Sequence, residues 1–369
     1  MKIVKADKKD IKRFIDFADK LYEGDDNYVP YMRADLKKTL KKLLFVDQTY
    51  TALLAEGDDG KVLGRVLFTI DKNKQHNTEK CGFFSMYECV DDAAVSSALI
   101  EEMIRMMKAQ GADYVSGTYF PYDQDNRRGI MVKGFERAPL IFTSYNKPYY
   151  DAQLTAAGLE KDVDTLEFSI DIINDSDIER LTRIANFAMK RYHYHIEALD
   201  LNNLEQGVND VCDIMQAATN EINYQDAPDK DTIMKTCLEW KNYLNPDVIL
   251  FAKRDEDNKA IGFVLALPDF FQVFRKMRGR TDLRGLIAFL RERKKIHAFR
   301  GILQYVVPEY QKKGVIPSLY AQMYHAAEKD HYDYFEAGTI LETNKDSFAP
   351  LIDSGVEISR VYRIYGKAL

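Results

Sequence analysis

The chain is poor in cysteine and has no long apolar run. Four cysteines among 369 residues (Cys81, Cys89, Cys212, Cys237) form no C-x-x-C pair and no metal-ligand spacing. No disulfide framework and no metal site are therefore expected. No stretch approaches the roughly 18 apolar residues of a membrane span, and Met1–Tyr22 is too charged for the apolar core of a signal peptide. The expectation is a reduced, cytoplasmic protein with no membrane partner. Positive charge is not in excess either. The 52 Lys and Arg stand against 58 Asp and Glu, a net charge of −6, which argues against a general nucleic-acid binder. What is present is globular material. Hydrophobic residues make up 46% and charged residues 30%, enough for a sizeable core, and the length corresponds to about two domains.

The chain repeats itself. Glu56–Asp71 (EGDDGKVLGRVLFTID) and Arg254–Asp269 (RDEDNKAIGFVLALPD) share six residues without gaps, and each has the acidic, Gly- or Asn-containing turn of a β-hairpin. Upstream of each hairpin lie a short strand and an amphipathic helix. The first helix has the stripe Ile11, Phe14, Ile15, Ala18 and Leu21. The second follows the alternating strand Leu166, Phe168, Ile170 and Ile172, with Ile178, Leu181, Ile184 and Ala188 on one face. Downstream, Phe83–Val90 and Ile302–Val307 are apolar strands leading through a turn into a helix. The pattern predicts an α/β (α+β) chain of two tandem mixed-sheet domains, residues 1–160 and 161–369, with helices on both faces. No Pro/Gly/Ser linker marks the boundary.

The two copies differ at the turn before that helix. The second reads Pro308-Glu309-Tyr310-Gln311-Lys312-Lys313-Gly314-Val315-Ile316-Pro317-Ser318, and the first is Asp91-Asp92-Ala93-Ala94-Val95-Ser96-Ser97-Ala98. A glycine that lets the backbone approach, two lysines and the start of a helix suit an anion. Two acids repel it. One phosphate site per chain is expected, in the second half.

The second turn resembles motif A of the GNAT superfamily of acyl-CoA N-acyltransferases, a strand followed by Gln/Arg-x-x-Gly-x-Gly/Ala and a helix, with Ile316 at the position of the last Gly or Ala. Phe335–Ile340 resembles the next family strand, Asn344 followed by Gly355 its Asn…Gly-Phe motif, and Ser359–Tyr365 its final strand. The resemblance implies acetyl-CoA or another acyl-CoA as co-substrate. Gln311, Lys312, Lys313, Gly314, Val315 and Ile316 would cradle its pyrophosphate. Gln304, Val306 and Val307 would meet the pantetheine arm, and Asn344 would complete the cofactor-binding set. It implies transfer of an acyl group to an amine on a small molecule or peptide, with the first half a degenerate copy. The family's tyrosine acid, seven residues after the Asn, is replaced by Leu351. Tyr305 and Glu309 are the remaining catalytic candidates, with Glu336 and Glu342 flanking the next strand. In the first half, Asn126–Gly129 with Gly134-Phe135, and Asn146 with Gly158-Leu159, both echo the Asn…Gly-Phe motif. A chain that kept the fold and lost the chemistry is the alternative, favoured by Leu351 and Ile316.

Three further segments stand out. Tyr192-His193-Tyr194-His195 has no persuasive third metal ligand. The helical, aromatic stretch Lys190–Tyr243 corresponds to the family's acceptor wall. Residues 269–300 form a basic insert with ten Lys or Arg against three acids. Its stripe of Leu286, Ile287, Phe289 and Leu290 predicts a basic helix completing the fold, or a positive rim near the coenzyme phosphates or an acidic acceptor. The absence of interleaved aromatics argues against RNA and against a membrane-surface role.

Overall fold

The computed structural model describes residues 1–76, 79–118, 128–171, 175–218, 229–353 and 356–369; Ile172, Asn126, Arg127 and Gly355 lie outside them. The elements in chain order are β1 (Lys2–Lys5), α1 (Ile11–Leu21), α2 (Arg33–Phe45), β2 (Tyr50–Glu56), β3 (Val62–His76), β4 (Glu79–Cys89), α3 (Ala93–Ala109), β5 (Tyr114–Gly117), β6 (Ile130–Lys133), α4 (Tyr150–Ala156), β7 (Glu160–Asp171), α5 (Asp175–Tyr192), β8 (Tyr194–Ala198), α6 (Leu204–Ala218), α7 (Lys230–Trp240), β9 (Ile249–Arg254), β10 (Ala260–Pro268), α8 (Phe271–Met277), α9 (Leu283–Glu292), β11 (Ala298–Val306), α10 (Val315–Lys329), β12 (Tyr334–Leu341), α11 (Lys345–Asp353) and β13 (Ile358–Ala368).

They form two compact units. The first comprises Met1–Phe168, Phe270–Lys295 and Thr339–Leu369, and the second Ser169–Asp269 and Ile296–Gly338. In the first unit the strand order is β1-β2-β3-β4-β5-β13-β7, with β6 also on β13. Side chains alternate across this sheet as a pleat requires. Leu53, Val66 and Phe68 pack with Leu99, Ile100 and Met103 of α3. Their neighbours Leu54 and Leu67 pack with Phe14, Leu36 and Leu40 of α1 and α2. Helices therefore cover both faces, and each buried Leu or Phe contributes about 1.5–3 kcal/mol. In the second unit the order is β12-β11-β10-β9-β8. Leu250, Ala252, Ile261 and Val264 face Leu319 and Met323 of α10, and α6 packs on β10 and β11, burying Val208, Val211 and Ile214.

Both expected hairpins form, β2–β3 and β9–β10. The division differs from a cut at residue 160. The C-terminal strand β13 inserts between β5 and β7, with Tyr365 opposite Gly117 and Val361 opposite Leu166. Its backbone groups are satisfied in the first unit, so it cannot be the final strand of the second. Most of the basic insert also belongs to the first unit, where the Arg33 amide donates to the Gly279 carbonyl at 2.9 Å. β7 is not the counterpart of β1: β1 pairs with β2, whereas the strand flanking the second hairpin is β8.

Candidate acyl-donor site

Strand β11 carries one extra residue. Leu265 of β10 opposes Leu303, but Ala266 opposes Gly301, so Ile302 bulges. A bulge bends its strand and increases its twist. β11 runs parallel to β12 only from Ala298 opposite Tyr334 to Gly301 opposite Ala337, and beyond Gly301 the two are no longer paired. Ile302–Val306 continue along β10 alone, leaving a backbone edge available to an extended ligand with amides of its own.

The chain then turns through a single 3₁₀ turn at Pro308–Tyr310. Lys312 (φ 61°) and Gly314 (φ 76°) are both left-handed, and α10 starts. Such turns direct successive N–H groups into one concavity. Several of the loop's carbonyls are taken. Tyr310 and Pro308 accept from the amides of Lys313 and Gln311. The buried Tyr194 phenol donates to the Lys313 carbonyl at 3.3 Å, and the Ser318 hydroxyl donates to the Gly314 carbonyl at 2.9 Å. The amides of Lys312, Gly314, Val315 and Ile316 have no acceptor among the described residues. Four donors at the positive end of a helix, with Lys312 exposed and the Lys313 ammonium 4.7 Å from the Tyr310 ring centroid, form an anion cradle. α5 holds the cradle closely through small residues. A Cβ on Gly314 would stand 2.6 Å from the Cβ of Ala188. The buried face of α5 is thus Ala185 and Ala188, with Ile184 exposed, which corrects the stripe expected for that helix.

The first unit repeats the strand and not the cradle. β4 bulges between Ser85 and Glu88 and pairs with β5 only up to Phe84. The Asp92 carboxylate then accepts from the amides of Ala94 at 2.8 Å and Val95 at 3.3 Å. A fixed negative group sits where a phosphate would have to bind.

No protein-family model matches the sequence. Solved structures do. A tandem GNAT protein from the clavulanic acid biosynthesis pathway superimposes with a TM-score of 0.54, at 10% identity over 100% of this chain and 98% of that one. This chain has the tandem GNAT fold. A GCN5-related glucosamine N-acetyltransferase region of a fungal multi-domain β-N-acetylglucosaminidase gives 0.58 at 13% identity, covering 99% of this chain, which spans 38% of that protein. By sequence the chain is 24% identical to Protein YghO of Escherichia coli strain K12 (98% of this chain, 94% of that one). It is also 24% identical to a bacterial ceramide synthase of Caulobacter vibrioides (98% and 95%).

Within the GNAT fold the structure groups Gln304, Val306, Val307 and Gln311 to Ile316 on one strand–loop–helix unit. Val306 pairs with Gly262, and the Val307 amide donates to the Ile261 carbonyl at 3.0 Å. The Gln304 side chain accepts from the Tyr320 phenol and is held in place. Ile316 packs half-buried against the core of the second unit, so its bulk does not cap the open amides. Tyr305 lies on the stretch of β11 that has parted from β12, in register with Phe263 of β10, half-buried, its ring 5.9 Å from that of Phe263. Glu309 is exposed in the 3₁₀ turn. A recess at the start of the loop is lined by Asp213, Ile214, Gln216 and Ala217 of α6 with Lys259, Ala260 and Val307.

Other candidates fall elsewhere. Asn344 is in the first unit, in the turn before α11, where its amide donates to the Leu341 carbonyl at 2.9 Å. Glu336 is fully buried, in register with Arg300 and accepting from Tyr334, a core carboxylate. Glu342 accepts from Lys161 at 2.7 Å and from the Asp164 amide at 3.0 Å. His193 is a left-handed turn residue (φ 56°), out of step with His195. The His195 imidazole pairs with Asp255 and Glu197, and the Asp255 hydrogen bond raises its pKa. No metal-ligand group occurs among the described residues.

Glu88 was missed. It occupies on β4 the place of Tyr305 on β11, counting back from Val90 and Val307. Its carboxylate accepts from the phenols of Tyr22 (2.8 Å) and Tyr150 (2.7 Å) and lies 3.6 Å from buried Arg65. Burial pushes its pKa above the usual carboxylate range. The signal in the sequence was an acid at the end of an apolar strand.

Proposed function

We propose that the chain is an acyl-CoA-dependent N-acyltransferase whose second unit binds the acyl donor. The observation that carries this is the open cradle of four amides following a splayed, bulged strand, beside its sister turn in the first unit that is closed by Asp92. The pyrophosphate of coenzyme A fits the cradle. The side of Ile302–Val306 that β12 leaves suits the pantetheine amides, and Tyr305 is part of that segment. An amine nitrogen must attack the thioester carbon and shed one proton while the C–S bond breaks and the leaving thiolate gains a proton. In this reading the Tyr305 hydroxyl supplies or orients that proton, because Leu351 replaces the family's usual tyrosine. A ceramide is the N-acyl amide of a long-chain amino alcohol. The relative of that name supports amide formation at an amine and places such alcohols in the acceptor panel alongside small amines and peptides.

Calorimetry is expected to give one coenzyme A per chain; two equivalent sites would contradict the asymmetry of the turns. Thiol release from acetyl-CoA and long-chain acyl-CoA across the amine panel then tests the chemistry. Binding without release supports the second reading, a GNAT-fold module without turnover, which Leu351 favours. Tyr305→Phe is expected to lower kcat by about 10²-fold or more with coenzyme A affinity intact. Unchanged turnover would remove Tyr305 from the mechanism.

A further inference from the structure

Helix α9 has its apolar stripe on the solvent side. At 3.6 residues per turn Leu283, Leu286, Ile287 and Leu290 share one stripe. Their exposures are 72%, 52%, 58% and 49%. The side turned to the protein carries the buried Gly285, where a Cβ would stand 2.3 Å from the Arg280 carbonyl oxygen, and Phe289, stacked 6.2 Å from Phe270. The sequence expectation that this stripe completes the fold is thus corrected. The backbone at Arg280 fits only against the glycine side, and that rotation turns the leucines outward.

A continuous exposed aliphatic stripe marks a surface that something covers, and the charges around it specify what. Lys276, Arg278, Arg280, Arg284, Arg291, Arg293, Lys294 and Lys295 are all exposed. Arg291 and Lys295 pair with Glu292 at 3.4 and 3.1 Å, and Arg293 lies 6.0 Å from the Phe289 ring centroid. Lys276, Arg278, Arg280, Arg284 and Lys294 have no carboxylate partner among the described residues. Arg284 and Arg291 fall on the same flank of the stripe. The covering partner must therefore be apolar in depth and anionic at its surface. A nucleic acid offers no apolar depth. A second copy of the same face would bring two basic clusters together.

We propose that α9 docks the protein on anionic phospholipid bilayers. Leu283, Leu286, Ile287 and Leu290 enter the boundary between headgroups and acyl chains, and the surrounding Lys and Arg side chains hold the lipid phosphates. No helix among the described residues is long and apolar enough to cross a membrane. The expectation of no membrane partner is replaced by one of surface attachment. This inference is independent of the acyl-transfer reading, since its readout involves neither coenzyme A nor an amine.

The test is flotation of the full chain with phosphatidylcholine vesicles, with and without phosphatidylglycerol. Binding is expected only with phosphatidylglycerol, and it should weaken as salt rises. The variant Leu286→Ser/Ile287→Ser/Leu290→Ser is expected to reduce the partition coefficient roughly tenfold or more. Because these side chains are exposed, its melting curve should match the wild type. Arg284→Gln/Arg291→Gln/Lys294→Gln is expected to flatten the salt dependence. The proposal is overturned if the wild type does not float with anionic vesicles, or if the triple serine variant floats equally well. It is also overturned if sedimentation shows a concentration-dependent dimer that the serine variant loses while neither binds vesicles.

Discussion

Gly314→Val is expected to reduce coenzyme A affinity by more than about 100-fold. Two effects combine. A β-branched residue in the left-handed region is strained by roughly 1–3 kcal/mol, and its Cβ would meet that of Ala188 at 2.6 Å. The relief available is to move the loop or α5, and either movement turns the amides of Lys312, Val315 and Ile316 away from a common point. In the proposed cradle the four open donors act together on one anion, so a small rotation is expected to cost most of the affinity. Calorimetry with coenzyme A, beside a near-ultraviolet dichroism spectrum of the variant, separates lost binding from lost fold. Wild-type affinity in a folded Gly314→Val protein would show that the anion is held elsewhere. The matching gain is not expected from Asp92→Gly. It opens two amides in the first unit, but Asp91 remains beside them and no lysine accompanies the turn.

Glu88→Ala is the second large effect, here on stability. Arg65 is 2% exposed, its Nη1 donates to the Phe14 carbonyl, and its Nε has no hydrogen-bond partner among the described residues. Removing the carboxylate leaves a buried cation and two tyrosine hydroxyls, Tyr22 and Tyr150, without their acceptor. Breaking such a pair costs about 3–5 kcal/mol, a fall in melting temperature on the order of 5 °C for a chain of this size. Glu88→Gln keeps an acceptor oxygen and is expected to lose much less. The pH dependence has a definite sign. Burial raises the folded pKa of Glu88 above the ordinary 4.5. Between the two values the folded state holds a proton that the unfolded state has released. The stability contributed by this group is complete below the unfolded pKa and is lost as pH rises through the folded one. Urea midpoints of the wild type relative to Glu88→Gln should therefore fall as pH increases across that window. A difference that is flat or rising with pH would show that the carboxyl is ionised throughout.

Much of the site was legible because its signals are local. A Gly after two lysines at a strand-to-helix junction is the signal of an anion turn within eleven consecutive residues. The acidic turns of Glu56–Asp71 and Arg254–Asp269 specify hairpins in the same way. Glu88 was not legible, because its meaning depends on Tyr22, Arg65 and Tyr150, residues distant along the chain. Glu336 and Glu342 looked like catalytic candidates for the same reason: an acid beside a strand reads alike whether it faces a substrate, Tyr334 or Lys161.

By itself the sequence determined the tandem plan, both hairpins and the existence of an apolar-faced helix at α9. Periods of two and 3.6 and the chemistry of a turn reside within a few neighbouring residues. Only the tertiary structure decided that β13 lies between β5 and β7, that α5 buries alanines rather than Ile184, and that the leucines of α9 face outward. Strand partners are chosen by backbone groups far apart in the chain. A helix's periodicity states that a stripe exists, while the direction it faces is set by which side another backbone can approach, and at α9 that side is Gly285.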